Sequence, residues 1–350
     1  MIARRKTRQI KVGNVKIGGF APVSIQSMTK VDTSDIRAVV GQIKRLEKSG
    51  CEIVRVAIKD LDDARAVKEI KKKIGVPIVC DIHFNYRLAL ESIRSGADKI
   101  RLNPGNIRKM EEVGEVVRAA KKAKIPIRIG INSGSLFTRN SQRATHNALV
   151  DSALQYIKVF EELDFHDIII SLKASDVRAT VEAYKRMAKL SDYPLHLGIT
   201  ASGPYDSGIV KSAIGIGALL LDGIGDTVRV SLTADPVEEV TAARRILSSL
   251  GLKKSGPEII SCPTCGRCQV DLGAIVKEFE YKLSALDHGP WTKRPFKVAI
   301  MGCEVNGPGE AREADIGIAF GAKNGMIFKK GKILKKVAVK NAVIELLKNL

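Results

Sequence analysis

An eightfold alternation constrains this chain more than any other feature of its sequence. Short β-branched segments recur at residues 22–28, 53–58, 77–84, 99–105, 126–132, 167–173, 195–201 and 227–233. Between them the apolar residues keep helical spacing. Ile36, Val39, Val40, Ile43 and Leu46, for example, follow it from a Thr33–Ser34 cap signal to a stop at Gly50. Strand then helix, eight times over, argues for a parallel sheet closed into a (β/α)8 barrel rather than an open sheet. The stretch GLKKSGPE, 251–258, reads as a linker. It separates a barrel over 1–250 from a smaller α+β domain over 256–350. The second part shows a helix near 271–286, short strands around 296–301, 315–319 and 325–335, and a terminal helix.

The barrel strands carry an unusual load of polar residues. Side chains alternate along a strand, so Asp81 and His83 share a face, as do Arg101 and Asn103, Arg128 and Asn132, Ser171 and Lys173, and Arg229 and Ser231. Arg55 holds the matching position in its own strand. The Val, Ile and Leu residues between them take the helix-facing side, which sends four arginines and a lysine toward the barrel mouth. Buried cations without equal numbers of carboxylates are costly. Either Asp81, Asp226 and Asp235 neutralise them, or a polyanion fills the site. Arginine forks suit phosphate oxygens, and a nucleic-acid duplex could not enter a barrel mouth, so a di- or polyphosphate metabolite is the expected occupant.

A net charge of +20 fits an anionic partner without choosing one. Much of the excess is lysine on helix faces, as in KEIKKKIG and AAKKAKIP, and no aromatic residues interleave with these runs; a nucleic-acid partner is therefore not expected. The chain has no run of 18 apolar residues, and the basic start MIARRKTRQIKVG leads into no apolar segment, so neither a membrane span nor a signal peptide is expected. A cytoplasmic location follows. There, six cysteines are reduced thiols or metal ligands rather than a disulfide framework.

Cys51 and Cys80 stand alone in apolar runs, whereas Cys262, Cys265, Cys268 and Cys303 share the last quarter of the chain. Three close cysteines and a distant fourth ligand suit an iron–sulfur cluster. A zinc site is the second reading, although the fourth cysteine lies in MGCEVNGPGE rather than in a second C-x-x-C knuckle. Unliganded thiols are a third. A thioredoxin-like redox pair is disfavoured because no βαβ pattern is visible around Cys262 and Cys265.

The strings QSMT, DIHF, RLNPGNI, PIRIGIN, LKASD, LGIT, KSAIGIG, GIGDTVRVSLTADPVEEV, SCPTCGR and GCEVNGPGEA resemble the 4-hydroxy-3-methylbut-2-enyl diphosphate synthase family, from about residue 20 to 320. The resemblance implies a TIM barrel followed by a reductase-like iron–sulfur domain. It implies reductive opening of 2-C-methyl-D-erythritol 2,4-cyclodiphosphate in the non-mevalonate isoprenoid pathway, with reduced flavodoxin or ferredoxin as donor. It also implies a homodimer that closes each site between two subunits. Carried over residue by residue, a 4Fe–4S cluster takes Cys262, Cys265, Cys303 and Glu310, which leaves Cys268 surplus. Arg55, Arg101, Arg128 and Lys173 take the diphosphate, with Arg229, Ser231, Asn103 and Asn132 in the same substrate set and Asn306 near the reacting oxygen. His83 and His196 are candidate proton donors or structural histidines.

One position departs from the pattern. Where the family reads GITEAG this chain reads GITASG, so Ala201 replaces the glutamate that handles the substrate's protons. Asp206, in the same loop, is a candidate substitute. A divergent or impaired paralogue acting on another phosphorylated substrate, and a basic zinc-containing RNA-binding protein, are the rival readings.

Overall fold

The structure is a computed structural model that describes residues 2–350 apart from 104, 105, 108, 136–145, 254, 255, 285, 287–295, 304–308 and 310–313. The chain divides into two compact units, Met1–Lys253 and Lys254–Leu350.

In the first unit a hairpin of β1 (Ile10–Val12) and β2 (Val15–Ile17) precedes eight parallel strands. These are β3 (Ser24–Met28), β4 (Ile53–Ile58), β5 (Ile78–Ile82), β6 (Lys99–Leu102), β7 (Ile127–Asn132), β8 (Ile168–Lys173), β9 (His196–Leu197) and β10 (Thr227–Val228). Their order is β8-β7-β6-β5-β4-β3-β10-β9, and a parallel bridge between Ile170 and Leu195 joins the two ends into a barrel. Eight helices follow the strands in turn: α1 (Ile36–Ser49), α2 (Leu61–Lys71), α3 (Tyr86–Arg94), α4 (Met110–Ala123), α5 (His146–Glu162), α6 (Val177–Leu190), α7 (Tyr205–Leu221) and α8 (Pro236–Ser249).

Short acidic or amide caps set where the helices begin. Asp35, Asp60, Asn85, Asp176 and Asp235 each accept a hydrogen bond from a backbone N–H in the first turn that follows, worth about 1 kcal/mol apiece. The cap of α1 is thus Asp35, not Thr33 or Ser34; the Thr33 hydroxyl donates instead to the Ala57 carbonyl at 2.6 Å. Gly50 ends α1 with φ +94°, and its N–H returns to the last turn.

The hairpin was not anticipated from the sequence. Ile10, Val12 and Ile17 pack on Ile53, Val79 and Ile169, the first inward residues of β4, β5 and β8, and so floor the barrel opposite its mouth. Asp226 fastens the N-terminal arm there through Arg4 at 3.2 Å and Thr7 at 3.1 Å. The last two barrel strands are far shorter than the expected 195–201 and 227–233. Beyond Leu197 the side chain of Lys173 lies over Gly198, where a Cβ would come within 2.5 Å of Lys173 Nζ and of the Arg229 carbonyl. Pairing continues beyond the strands through the Arg229 N–H bond to the Leu197 carbonyl, 3.0 Å, and an isolated parallel bridge between Pro204 and Thr233.

In the second unit β11 (Glu258–Ser261), β12 (Lys297–Met301), β13 (Ile316–Phe320), β14 (Asn324–Lys329) and β15 (Lys332–Ala338) form one mixed sheet in sequence order. The first three strands are parallel and the last two form an antiparallel hairpin. Helix α9 (Leu272–Ser284) and the terminal helix Ala342–Lys348 share an apolar cluster with Val298, Ile300, Ile316, Ile318 and Phe320. The linker expected over 251–258 ends in Glu258, the first residue of β11, a strand the sequence did not announce, and the single strand expected over 325–335 is a hairpin. The parallel β11–α9–β12 crossover also removes the ground on which a thioredoxin-like pair was set aside, because a βαβ unit does surround the cysteines. Among the described residues no helix is long and apolar enough to cross a membrane.

Candidate active site

At the mouth of the barrel Arg55, Arg101, Arg128, Lys173 and Arg229 line one pocket of about 320 Å³, open mouth included, together with Gly130, Asn132, Ser171, Thr200 and Ser231. Alternation along β4, β6, β7, β8 and the segment after β10 brings these cations together, as their spacing implied. Arg101, Arg128 and Lys173 are buried, and no carboxylate is among the lining residues.

Each cation is held by a different device. Arg101 donates to Asp81 Oδ1 at 3.1 Å and to the Gly130 carbonyl at 2.7 Å. Its Nε would lie 2.6 Å from a Cβ at position 130, so only glycine lets the arginine cross β7. Arg55 donates from Nε and Nη2 to the thioether of Met28, at 3.0 and 2.9 Å, and stands 3.8 Å from Asp81 Oδ2. Arg229 lies 3.7 Å from Glu239 on α8, a carboxylate shared with Lys30 at 3.0 Å. Arg128 and Lys173 form no ion pair among the described residues, and Arg128 Nε and Nη1 have no hydrogen-bond partner.

Partial neutralisation is therefore real but incomplete. Burial pushes the Asp81 carboxyl up, yet Arg55, Arg101 and His83 together outweigh it and hold the group well below the usual carboxylate range. Asp226 and Asp235, the other expected counter-charges, pair with Arg4 and Arg45 instead. Burial, with neighbouring arginines, drives Lys173 and Arg128 well below their ordinary values and Arg55 down to about 9. A guanidinium keeps its proton in proteins, so the unfavourable energy resides in cations that lack an anion.

The remaining sequence candidates divide. Asn132 and Ser231 line the pocket, while Asn103 is buried on the chain just beyond β6 and is not among the lining residues. His83 is exposed; its Nε2 faces Asp81 Oδ2 at 3.4 Å and its Nδ1 meets the Asn106 amide nitrogen at 3.2 Å. That arrangement makes Nδ1 the acceptor and leaves the Nε2 proton for Asp81. His196 is fully buried beneath the cations; burial and Arg128 push it well below the usual range, and neither ring nitrogen has a partner among the described residues. It is a neutral interior group rather than a proton donor at the mouth. Ala201 follows Thr200 in an exposed turn with φ +49°, and Asp206 is exposed on the first turn of α7, outside the lining.

Met28, Thr200, Glu239 and Lys99 were missed. Lys99 lies two residues before Arg101 on the same inward face, so alternation could have found it. Glu239 arrives from a helix, where strand alternation gives no signal.

In the second unit, parallel pairing of Ser261 with Ile300 sets the chain after β11 beside the chain after β12. Cys262 and Cys303 are thereby carried to one end of the sheet. The Gly302 N–H donates to Cys262 Sγ at 3.2 Å, and a Cβ at 302 would come within 2.4 Å of Cys268 Sγ and 3.3 Å of Cys262 Sγ. Cys265 is exposed, and a hydrogen bond from the Arg267 backbone, aided by its side chain, lowers its thiol. A lowered thiol and a second one accepting an N–H bond are groups suited to bind metal as thiolates. Among the described residues no three His, Cys, Asp or Glu groups already stand in metal-holding geometry. Asn306 and Glu310 lie outside the described residues.

Residues 7–244 match the GcpE TIM-barrel domain and residues 258–350 the GcpE protein C-terminal domain. The chain belongs to the GcpE family. It is 56% identical over 351 residues, 99% of either chain, to 4-hydroxy-3-methylbut-2-en-1-yl diphosphate synthase (flavodoxin) of Thermodesulfovibrio yellowstonii. The enzymes of the same name from Caldanaerobacter subterraneus and Clostridium perfringens are 56% and 55% identical, across 100% and 99% of this chain and 98% of their own. Among solved structures, 3-dehydroquinate dehydratase from Geobacillus kaustophilus superposes with TM-score 0.51 at 17% identity, covering 72% of this GcpE-family chain and all of its own. A dihydropteroate synthase from Xanthomonas albilineans gives 0.51 at 10%, over 70% of this chain and 98% of its own. These two likenesses concern the fold alone.

Proposed function

We propose that this GcpE-family chain is an iron–sulfur oxidoreductase that converts 2-C-methyl-D-erythritol 2,4-cyclodiphosphate to 4-hydroxy-3-methylbut-2-enyl diphosphate in non-mevalonate isoprenoid synthesis. The observation that carries the reading is the pocket itself: five cations around one opening with no carboxylate among the described residues of its wall. A small ligand with charge on two neighbouring phosphorus atoms fits this wall, and the family's named product is a diphosphate.

The reaction takes up two electrons and two protons, opens the bond between the ring carbon and its phosphate oxygen, and releases one hydroxyl as water. Arg55, Arg101, Arg128 and Lys173 would hold the diphosphate, with Arg229 beside them. Asp81, Met28 and the Gly130 carbonyl fix the arginine forks before the ligand arrives, which lowers the ordering cost of binding. Asn132, Ser171, Thr200 and Ser231 add neutral donors for the remaining phosphate and hydroxyl oxygens. The thiols of Cys262, Cys265 and Cys303, with Glu310, would hold a 4Fe–4S cluster, which when bound supplies single electrons and an iron that can polarise an oxygen. Asn306 would sit beside that oxygen and His83, held by Asp81, would serve proton transfer.

Reduced flavodoxin is the donor in this reading, in keeping with the word flavodoxin in the relatives' name; the same reading takes a homodimer in the cytoplasm as the working form. Anaerobic incubation of the cyclic diphosphate with reduced flavodoxin tests the whole proposal. Release of the allylic diphosphate is expected; an iron-loaded protein that leaves the substrate untouched would point to the divergent paralogue. A colourless protein containing zinc would revive the RNA-binding alternative.

A further inference from the structure

One layer beneath the pocket, the barrel encloses a lysine that the reading above does not use. Lys99 Nζ is completely buried, and its hydrogen bond is to Gln26 Oε1 at 3.3 Å. An ammonium has three protons to donate, and one neutral acceptor leaves it under-satisfied. The groups that face it make matters worse. Arg128 of β7 and Arg55 of β4 are cationic, and Gln26 of β3 and His196 of the β9 strand are neutral. The acid on neighbouring β5, Asp81, is already engaged by Arg55, Arg101 and His83. Arginines cannot shed charge, so the cluster can relieve itself only through its lysines.

We propose that Lys99 stands as a neutral amine in the empty barrel and takes a proton from solvent when an anionic diphosphate occupies the pocket above it. Beside burial, the charge that weighs most on Lys99 is Arg128, whose Nε and Nη1 have no hydrogen-bond partner among the described residues, so loss of the lysine's proton relieves that repulsion. Once the dianion is bound, its field offsets the arginines, and the protonated Lys99 adds one charge behind Arg128. Lys173 is subject to the same field but belongs to the pocket wall, whereas Lys99 touches no ligand and acts as a positioning residue through Arg128. The inference rests on the diphosphate reading of the pocket. It adds that binding is coupled to proton uptake, so affinity weakens as pH rises, by up to about tenfold per pH unit for each proton taken up.

The cyclic diphosphate suits the test, because each phosphorus carries one ionised oxygen and no proton that titrates near neutrality; any proton exchanged belongs to the protein. Calorimetric titration of the cluster-loaded protein, without an electron donor, in buffers of different ionisation enthalpy reads the uptake directly. A positive uptake is expected in the parent chain and a smaller one in Lys99→Met, which keeps the length and apolar stem of the side chain. Uptake unchanged in Lys99→Met places the proton on another group, such as Lys173 or His196, and overturns the assignment. Should Lys99→Met not fold, the parent chain still decides, since binding with no uptake refutes the coupling by itself. No heat of binding at all would strike the diphosphate reading of the pocket, a different failure from binding without protons.

Discussion

Met28 Sδ receives both Nε and Nη2 of Arg55, at 3.0 and 2.9 Å, so a thioether rather than a carboxylate aims the guanidinium that stands first in the barrel's ring of cations. A neutral, polarisable acceptor orients the fork while leaving its charge for a ligand. Met28→Leu keeps the volume and removes the acceptor, which costs under about 1.5 kcal/mol of stability. Loss of one net hydrogen bond is worth about 0.5 to 1.5 kcal/mol, so KM for the cyclic diphosphate is expected to rise by about 2- to 10-fold with the fold intact. Steady-state kinetics with a thermal melt of the same sample checks both parts.

Gly130→Ala places a methyl group 2.6 Å from Arg101 Nε, at a flexible side chain rather than at backbone. The arginine should swing away from Asp81 and from the Gly130 carbonyl. Substrate affinity is expected to fall by about tenfold, the worth of one charge-assisted hydrogen bond, while iron content stays unchanged. A parallel loss of iron would mean that the two units do not divide the work as proposed.

The pH dependence of stability follows from Lys99 and Lys173, both driven below their ordinary values by burial. An unfolded lysine keeps its proton throughout the neutral range, whereas the folded pair sheds protons as pH rises, so the unfolded chain binds more protons and stability increases with pH. The slope is at most about 1.4 kcal/mol per pH unit for each lysine. Measurements belong below the ordinary thiol range, because burial pushes Cys51 and Cys80 up to about 12 and these act in the opposite sense. Denaturant midpoints of the ligand-free chain should rise between about pH 7 and 8, where unfolded lysines are charged and which lies above the ordinary histidine range in which buried His196 adds a rise of the same sign, and a Lys99→Met, Lys173→Met chain should lose that rise.

Single serine variants of the four clustered cysteines test the ligand set through iron and sulfide content. Cys262→Ser, Cys265→Ser and Cys303→Ser are expected to lose the cluster, and Cys268→Ser to keep most of it. Gly302→Ala should behave like the first group, since its methyl would meet Cys268 Sγ at 2.4 Å and Cys262 Sγ at 3.3 Å. Full iron in Gly302→Ala would mean that this contact is irrelevant to metal loading.

Ala201→Glu restores a carboxylate next to pocket-lining Thr200. The backbone there is already left-handed at φ +49°, a cost that alanine and glutamate share, so stability should change little. Single-turnover reduction is expected to gain about 10-fold, within the range for a placed proton donor, with substrate affinity unchanged. Asp206→Asn should alter turnover by less than about threefold, since it leaves the pocket wall intact. Collapse of turnover in that variant would assign the proton to Asp206 after all.

The barrel was legible because its evidence is local: β-branched runs of period two, helical runs of period three to four, and polar residues confined to one face toward the strands' C-terminal ends. The convergence of Arg55, Arg101, Arg128, Lys173 and Arg229 follows from that alternation once the sheet closes. What lay beyond the sequence depends on atoms that meet across strands. Only the packed barrel shows Met28 beneath Arg55, Arg101 crossing at Gly130, Lys173 lying over Gly198, and Glu239 reaching Arg229 from α8. The β1–β2 floor escaped notice because strands of three residues carry too few alternations to register. The cysteines divide in the same way. Their spacing alone announces a metal or redox site, but which thiols stand against Gly302 is decided by the parallel register of Ser261 with Ile300, a pairing made across 39 residues of chain that no local pattern encodes.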